Sequence, residues 1–433
     1  MTSVESTRTR YGFWVSLVAS VVFVAQTAAP SPLYPTYREE WGLSAVTLAV
    51  VFAVYVVGLL LVLLTGGALS DFVGRKPVVA VAGVLAIAGL IVLAVADNVW
   101  MLVVARILQG ACVGLIGGAL GAALMDFHLP GRVQLSVVLN GAVPPLALGV
   151  GAMAAAILAN VLPAPTQSVY FVFAGAVLVC TVLWLFVEER GPKRPGALRS
   201  LVPSLSIPER TRPVFMAVVG SLCAAWALAG LYVGSAGQIT GGILGIPGPL
   251  SAGFAILALQ IPGTLTGVLT ARAHARPVIL SGLGALILGA ALTAWALAAG
   301  SVWGFFVSTV IAGAGFGAGF QGGLRLILAQ TDALSTSGVL SAVYATSYLA
   351  FGIPSVIAGF LIPQLGLSVT TYWYLGLVAA VAAVAFVFQL RTIPATQAEE
   401  AAEVQEAIEM LDDRDAVAGM REDDVEGGRQ PAR

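Results

Sequence analysis

Apolar residues in this chain come in long blocks rather than at alternating or amphipathic positions. The run from 44 to 66 carries no formal charge, and about twenty equally bare residues follow the short polar segment at 67–77. A helix that crosses a bilayer needs about 20 mostly apolar residues. Blocks of that length predict twelve spans, at 12–33, 44–66, 77–96, 99–123, 134–158, 169–188, 213–236, 248–270, 277–298, 303–327, 337–361 and 369–391. The stretch 241–249 is either a connection or partly the start of span eight. Backbone groups in lipid have no water to bond with, so each block must be a helix. The longest connection, "EERGPKRPGALRSLVPSLSIPERTRP" (188–213), separates six spans from six. The expected organisation is a terminus at 1–11, a six-helix bundle at 12–188, a linker at 189–212, a second bundle at 213–391 and an acidic tail at 392–433. The fold class is therefore all-α integral membrane, built as two six-helix halves.

Composition narrows the class further. The chain is 58% hydrophobic and 10% charged, with a mean hydropathy of +0.95. Soluble domains carry about 25% charged residues, so a water-facing surface cannot be made from this inventory. No helix-sized cluster of Lys and Arg exists to bind nucleic acid. Cys112, Cys180 and Cys223 sit singly in apolar runs, as packing residues do, and no metal or cofactor is implied. His128 and His274 fall in short polar connections.

Charge placement sets the expected orientation. Arg8, Arg10, Arg75, Lys76, Arg132, Arg190, Lys193, Arg194, Arg199, Arg210, Arg212, Arg272, Arg276 and Arg391 fall on the side of the N-terminus. The opposite loops hold Arg38 alone, beside Glu39 and Glu40. Positive residues stay inside, so both termini are expected in the cytoplasm, with span one an uncleaved helix. Trp14, Trp41, Trp100, Trp184, Trp295, Trp303 and Trp373 fall near span ends, as an interfacial belt requires, and Trp226 falls mid-span. The tail segment "EEAAEVQEAIEMLDD" reads as a solvated acidic stretch.

Two connections echo each other. "GALSDFVGRKP" (67–77) lies between spans two and three, and "GVLTARAHARP" (267–277) lies between spans eight and nine. The first resembles the loop between the second and third helices of the major facilitator superfamily, through Gly67, Leu69, Asp71, Gly74, Arg75 and Lys76. The second keeps Gly267, Leu269, Arg272, Arg276 and Pro277 but has Ala271 where the acid stood. "RILQG" (106–110) in span four resembles the family's Arg-x-x-x-Gly pattern, and "MDFHLPGR" resembles the loop that follows, with Asp126, Pro130 and Arg132. "PPLALGVGAMAAA" in span five keeps Gly149 and Gly151 of the antiporter motif but has Ala152 where proline is common. These first-half motifs resemble the twelve-helix drug:proton antiporter branch.

The resemblance implies a conformational latch at Gly67, Asp71, Gly74, Arg75, Lys76 and Asp126. In it Asp71 would reach the start of span eleven near residues 335–337, and Arg75 would pair with Asp126. It also places spans one, four, seven and ten around a cavity, favouring Gln26, Arg106, Gln109, Trp226 and Gln321. Tyr55, Asn140, Tyr232, Gln260, Arg325, Tyr344 and Tyr348 are further polar residues at that depth. Intramembrane charge is costly and usually functional; Arg106 is the deep one, whereas Arg325 sits near the inner end of span ten and can snorkel or act. No Asp or Glu lies mid-span, so proton coupling, if present, uses Asp71, Asp126 or Asp332 near the inner face; otherwise the substrate carries the proton or the carrier is uncoupled. The expected function is export of small amphipathic compounds, anionic or neutral in preference to permanent cations, by alternating access and in exchange for protons. The alternatives are import of a small organic anion, or a transporter-like sensor or scaffold. A monomer in a bacterial plasma (inner) membrane is expected, the 19 Arg against 2 Lys pointing to a bacterium.

Overall fold

The computed structural model describes residues 3–191, 195–197, 207–331 and 336–391. By contact the chain divides into a unit from Met1 to Phe386 and a second from Val387 onward, of which residues 387–391 are described and helical. All elements among the described residues are helices. In order they are α1 (Ser3–Ala28), a 3-10 turn (Ser31–Leu33), α2 (Tyr34–Trp41), α3 (Ala45–Gly66), α4 (Ser70–Val73), α5 (Arg75–Ala94), α6 (Val99–Asp126) and α7 (Val133–Val161). They continue with α8 (Pro165–Leu185), α9 (Arg212–Gly242), α10 (Pro249–Leu269), α11 (Ala275–Ala298), α12 (Val302–Ala329), α13 (Thr336–Leu365) and α14 (Leu367–Arg391). Among the described residues twelve spans are long and apolar enough to cross a membrane, with α1 and α2 together forming the first. The stretch 241–249 is divided: α9 runs on through Gly242, and α10 starts at Pro249.

The first span differs most from its expected bounds. Apolar composition alone ends it at 33, but the chain breaks at residues 29–30 and resumes as α2, carrying Arg38, Glu39 and Glu40 on a helix. Pro30 is the cause. It has no N–H to give the carbonyl four residues back, so the regular ladder fails at Gln26. The detached turn packs against α7, α9 and α10, and it is one place where the halves touch. Their longer contacts run along α3–α13 and α7–α10.

Within each half, glycines set the closest approaches, and the two halves repeat the device. Asn98 caps α6 by accepting from the Met101 amide (3.2 Å), and Ser301 caps α12 by accepting from that of Gly304 (3.1 Å). Each cap is followed by Val-Trp, and twelve and sixteen residues after each cap stand Gly110 and Gly114, Gly313 and Gly317. A Cβ on Gly110 or Gly114 would overlap the carbonyls of Tyr55 and Leu59 on α3. One on Gly313 or Gly317 would overlap those of Leu259 and Gly263 on α10. Small residues let helix backbones touch where lipid supplies no hydrophobic drive.

Four of the expected belt tryptophans, at 100, 295, 303 and 373, are exposed near helix ends, and Trp14 is exposed in the middle of α1. Trp184 departs from that pattern: it lies at the end of α8 but faces inward and is buried.

Candidate functional site

The break in α1 builds the most unusual polar site of the protein. Freed by Pro30, the Gln26 carbonyl accepts from Gln109 Nε2 (3.1 Å), which also donates to Gln26 Oε1 (2.7 Å). The next carbonyl, of Thr27, accepts from Arg106 (2.8 Å), and the same nitrogen donates to Gln109 Oε1 (2.8 Å). The guanidinium lies 4.6 Å from the centroid of the Tyr55 ring, a cation–π contact. Tyr34 and Tyr170 lie within reach of its charge, and Tyr37 donates to the Tyr170 hydroxyl (3.1 Å). Arg106 is 1% exposed, forms no ion pair among the described residues, and leaves Nε without a partner. A buried cation held only by neutral acceptors and a ring face keeps its charge uncompensated, and it is therefore suited to an anionic or electron-rich partner.

Tyr55 connects this site to the second half, since its side chain interacts with both Thr27 and Tyr348. The Tyr348 ring lies 5.1 Å from Trp226, which is ringed by Phe316, Phe320 and Phe351 as well. The Trp226 indole N–H is buried without a partner, as are both amide atoms of Gln260 and Nε2 of Gln321. Gln260 packs on Gly149 of α7, and Gln321 fills the space between Gly141 of α7 and Gly267 of α10. Tyr344 is half-buried on α13. Tyr232 bonds Thr309 (2.7 Å), the residue eight positions after the Ser301 cap just as Arg106 is eight after Asn98. The second half thus has a hydroxyl pair where the first has its cation. Asn140 of α7 lies against Gly121 of α6. On the face of α6 that carries Arg106, three turns nearer the basic end, Gly117 is exposed and a Cβ there would meet nothing within 4 Å.

The charged cluster at the basic end assembles from separate elements. Gly74, at φ 97°, turns the chain between α4 and α5. Arg75 then turns inward, with Nε donating to Asp126 at the end of α6 (3.3 Å) and a terminal nitrogen donating to Ser70 (2.7 Å) and Asp71. Its side chain is 6% exposed, against 44% for Asp71. Gly118 lets α6 meet the end of α3, for a Cβ there would overlap the Gly67 carbonyl. Arg75 and Asp126, both named with the sequence motifs, are thus brought into contact. The partner expected for Asp71 near residues 335–337 lies outside the described residues and side chains, as do Asp332 and the tail. Arg325 turns to the exit of α10 and donates to the carbonyls of Thr270 (2.8 Å), Ala271 (2.6 Å) and Ala273 (3.3 Å). The end that lacks an acid in the sequence echo is thus held by an arginine on backbone carbonyls.

Several contributors carry no motif. Pro30, Pro32 and Pro35 were the available signal for the break in α1, and hence for Tyr34 and Tyr37 beside the cation. Glu189 accepts from the backbone amides of Arg75 (3.0 Å) and Lys76 (2.8 Å) from more than a hundred residues away, which no local pattern announces.

Asp71→Asn is expected to cut transport while leaving membrane insertion and the helical fold intact, because Asp71 is half-exposed and Asp126 still holds Arg75. Flux assays beside size-exclusion profiles check this, and normal flux in the variant removes Asp71 from the mechanism.

The family profile described as Major Facilitator Superfamily matches residues 16–297, more than half of the chain. A comparison with curated proteins finds no match. Twelve apolar helices in two glycine-packed halves, with that match across the first half and into the second, make this chain a member of the major facilitator superfamily and a multi-pass secondary membrane transporter.

Proposed function

We propose that the protein exports small amphipathic compounds, anionic or neutral, in exchange for protons, by rocking its two halves around the Arg106 site. The observation that carries the substrate assignment is Arg106 itself: a buried guanidinium with no acid paired to it among the described residues and one nitrogen unsatisfied. A permanent cation brought to that position meets an uncompensated like charge, whereas an anion or carbonyl-rich compound meets donors. The Trp226 cluster supports an apolar or aromatic body for the same compound. The acid-bearing cluster at Asp71, Arg75 and Asp126 acts as a latch on the cytoplasmic face, made when that side closes and broken when it opens. Export and proton exchange rest on the resemblance of the first-half motifs to the antiporter branch. With no acid in mid-span, the inner-face carboxylates are the groups available to exchange the proton.

Flux in proteoliposomes under an imposed pH gradient tests this reading, using anionic, neutral and cationic amphiphiles. The expected result is movement of anionic or neutral compounds against the direction of proton flow. Flux indifferent to the gradient overturns proton exchange, and transport of permanent cations alone overturns the role of Arg106. Arg106 serves an organic-anion importer equally well, and anion movement along with protons identifies that second reading.

A further inference from the structure

The start of the linker holds the latch, and Glu189 is the residue that does so. α5 begins badly: its N-cap is Gly74, with no side chain to accept from the first-turn amides. A helix N-terminus left this way exposes unsatisfied donors and positive dipole. Glu189 supplies the acceptor from beyond the end of α8, one carboxylate oxygen on the Arg75 amide (3.0 Å) and the other on that of Lys76 (2.8 Å). The first oxygen also accepts from the Gly191 amide (3.0 Å), folding the chain back on itself. Gly191 then lies on the stem of Arg75, close enough that a Cβ there would come within 2.9 Å of Arg75 Cγ. Arg190 completes the attachment. It donates to Thr9 of α1 (3.1 Å) and stacks 4.6 Å from the ring of Phe127, the residue after Asp126. Three consecutive residues thus touch α1, α5 and the end of α6, and they cover the side chain that pairs with Asp71 and Asp126.

We infer that Glu189 is a positioning residue for transport: it fixes the direction of Arg75 by clamping the first turn of α5. It thereby ties the covalent connection between the halves to the cluster that opens and closes with them. A linker anchored only by its sequence neighbours would be a passive tether. Here the chain leaves the first half from on top of Arg75, so displacement of the Glu189–Gly191 segment uncovers Arg75 and frees the α5 amides together. The inference rests on reading the Asp71–Arg75–Asp126 cluster as a latch, and its test separates the two.

The reporter is a cysteine at Gly117, which faces open space below Arg106, in a protein whose Cys112, Cys180 and Cys223 are each exchanged for Ala. The rate of labelling by fluorescein maleimide in detergent-purified protein measures how often the basic side is open. Glu189→Ala is expected to raise that rate about fivefold, the effect of losing a charged helix cap. Asp71→Asn is expected to raise it too, and Glu189→Asp, which keeps the charge, is expected to restore most of the original rate. Glu189→Gln, which keeps its size and one acceptor oxygen, stands in if the alanine variant does not fold; its expected rate is intermediate. An Asp71→Asn increase with no change from either neutral Glu189 variant overturns the role of Glu189 and leaves the latch. No change from either position overturns both. A purely structural Glu189 would lower the yield of monodisperse protein without moving the labelling rate of what remains, and that outcome also overturns the inference.

Discussion

Arg106→Gln is expected to weaken transport of anionic compounds by about tenfold to a hundredfold, seen as a higher KM in proteoliposome flux. The range follows from losing one charge-assisted hydrogen bond, worth about 1.5–3 kcal/mol. The folded protein should survive, because Gln109 remains bonded to both the carbonyl and the side chain of Gln26. Arg106→Lys should not rescue the loss. One guanidinium nitrogen donates to both the Thr27 carbonyl and Gln109 Oε1, but an ammonium on the shorter lysine stem lacks the delocalised guanidinium that contacts the Tyr55 ring and the further N–H at Nε. Neutral amphiphiles should be affected less than anions, since their binding leans on the aromatic groups around Trp226. The discriminating measurement is the ratio of anion to neutral flux in wild type and variant. A ratio that does not move, with both fluxes normal, removes Arg106 from substrate recognition and leaves it as a brace for the broken first helix.

What the sequence discloses here follows from where physics is local. Spans are legible because burial in lipid is a property of twenty residues in a row. The Arg75–Asp126 pair is legible because a loop motif fixes Arg75 at a helix start while α6 delivers Asp126 at its end. The break in α1 is different. Apolar counting continues smoothly to residue 33, and only the prolines at 30, 32 and 35 betray that the ladder must fail. The carbonyls of Gln26 and Thr27, which hold Gln109 and Arg106, are therefore invisible to any reading of side chains. The direction faced by each span is equally hidden, because the helices are apolar nearly all round. That is why the inward direction of Trp184 is not legible from its place at a helix end, which suits an interfacial belt. Arg325 and Glu189 share one reason for their obscurity: their partners are backbone atoms of distant segments, and backbone atoms leave no signature in composition.

Gly317→Val is expected to destroy folding, with loss of monodisperse protein after extraction and no measurable flux. The reason is contact between backbones. A Cβ on Gly317 would overlap the carbonyl, carbonyl carbon and Cα of Gly263 on α10, and none of these can turn aside as a side-chain tip can. Overpacking of ordinary cores costs about 1–3 kcal/mol. A clash with backbone forces α12 and α10 apart along their length, and should cost about 3 kcal/mol or more. Gly114→Val in the first half should behave alike, since Gly114 presses on α3 as Gly317 presses on α10. Gly117→Ala is the control that gives the comparison its meaning. It changes a glycine on the same helix as Gly114 and within one turn of it, yet the new methyl enters open space. Thermal melting of the three variants in detergent should therefore split by contact and not by residue type, with Gly117→Ala melting as wild type or slightly above it, since alanine favours the helix. Equal losses at Gly117 and Gly317 would mean that these glycines serve helix flexibility instead of close approach, and the pairing of α6 on α3 with α12 on α10 would then lose its physical cause.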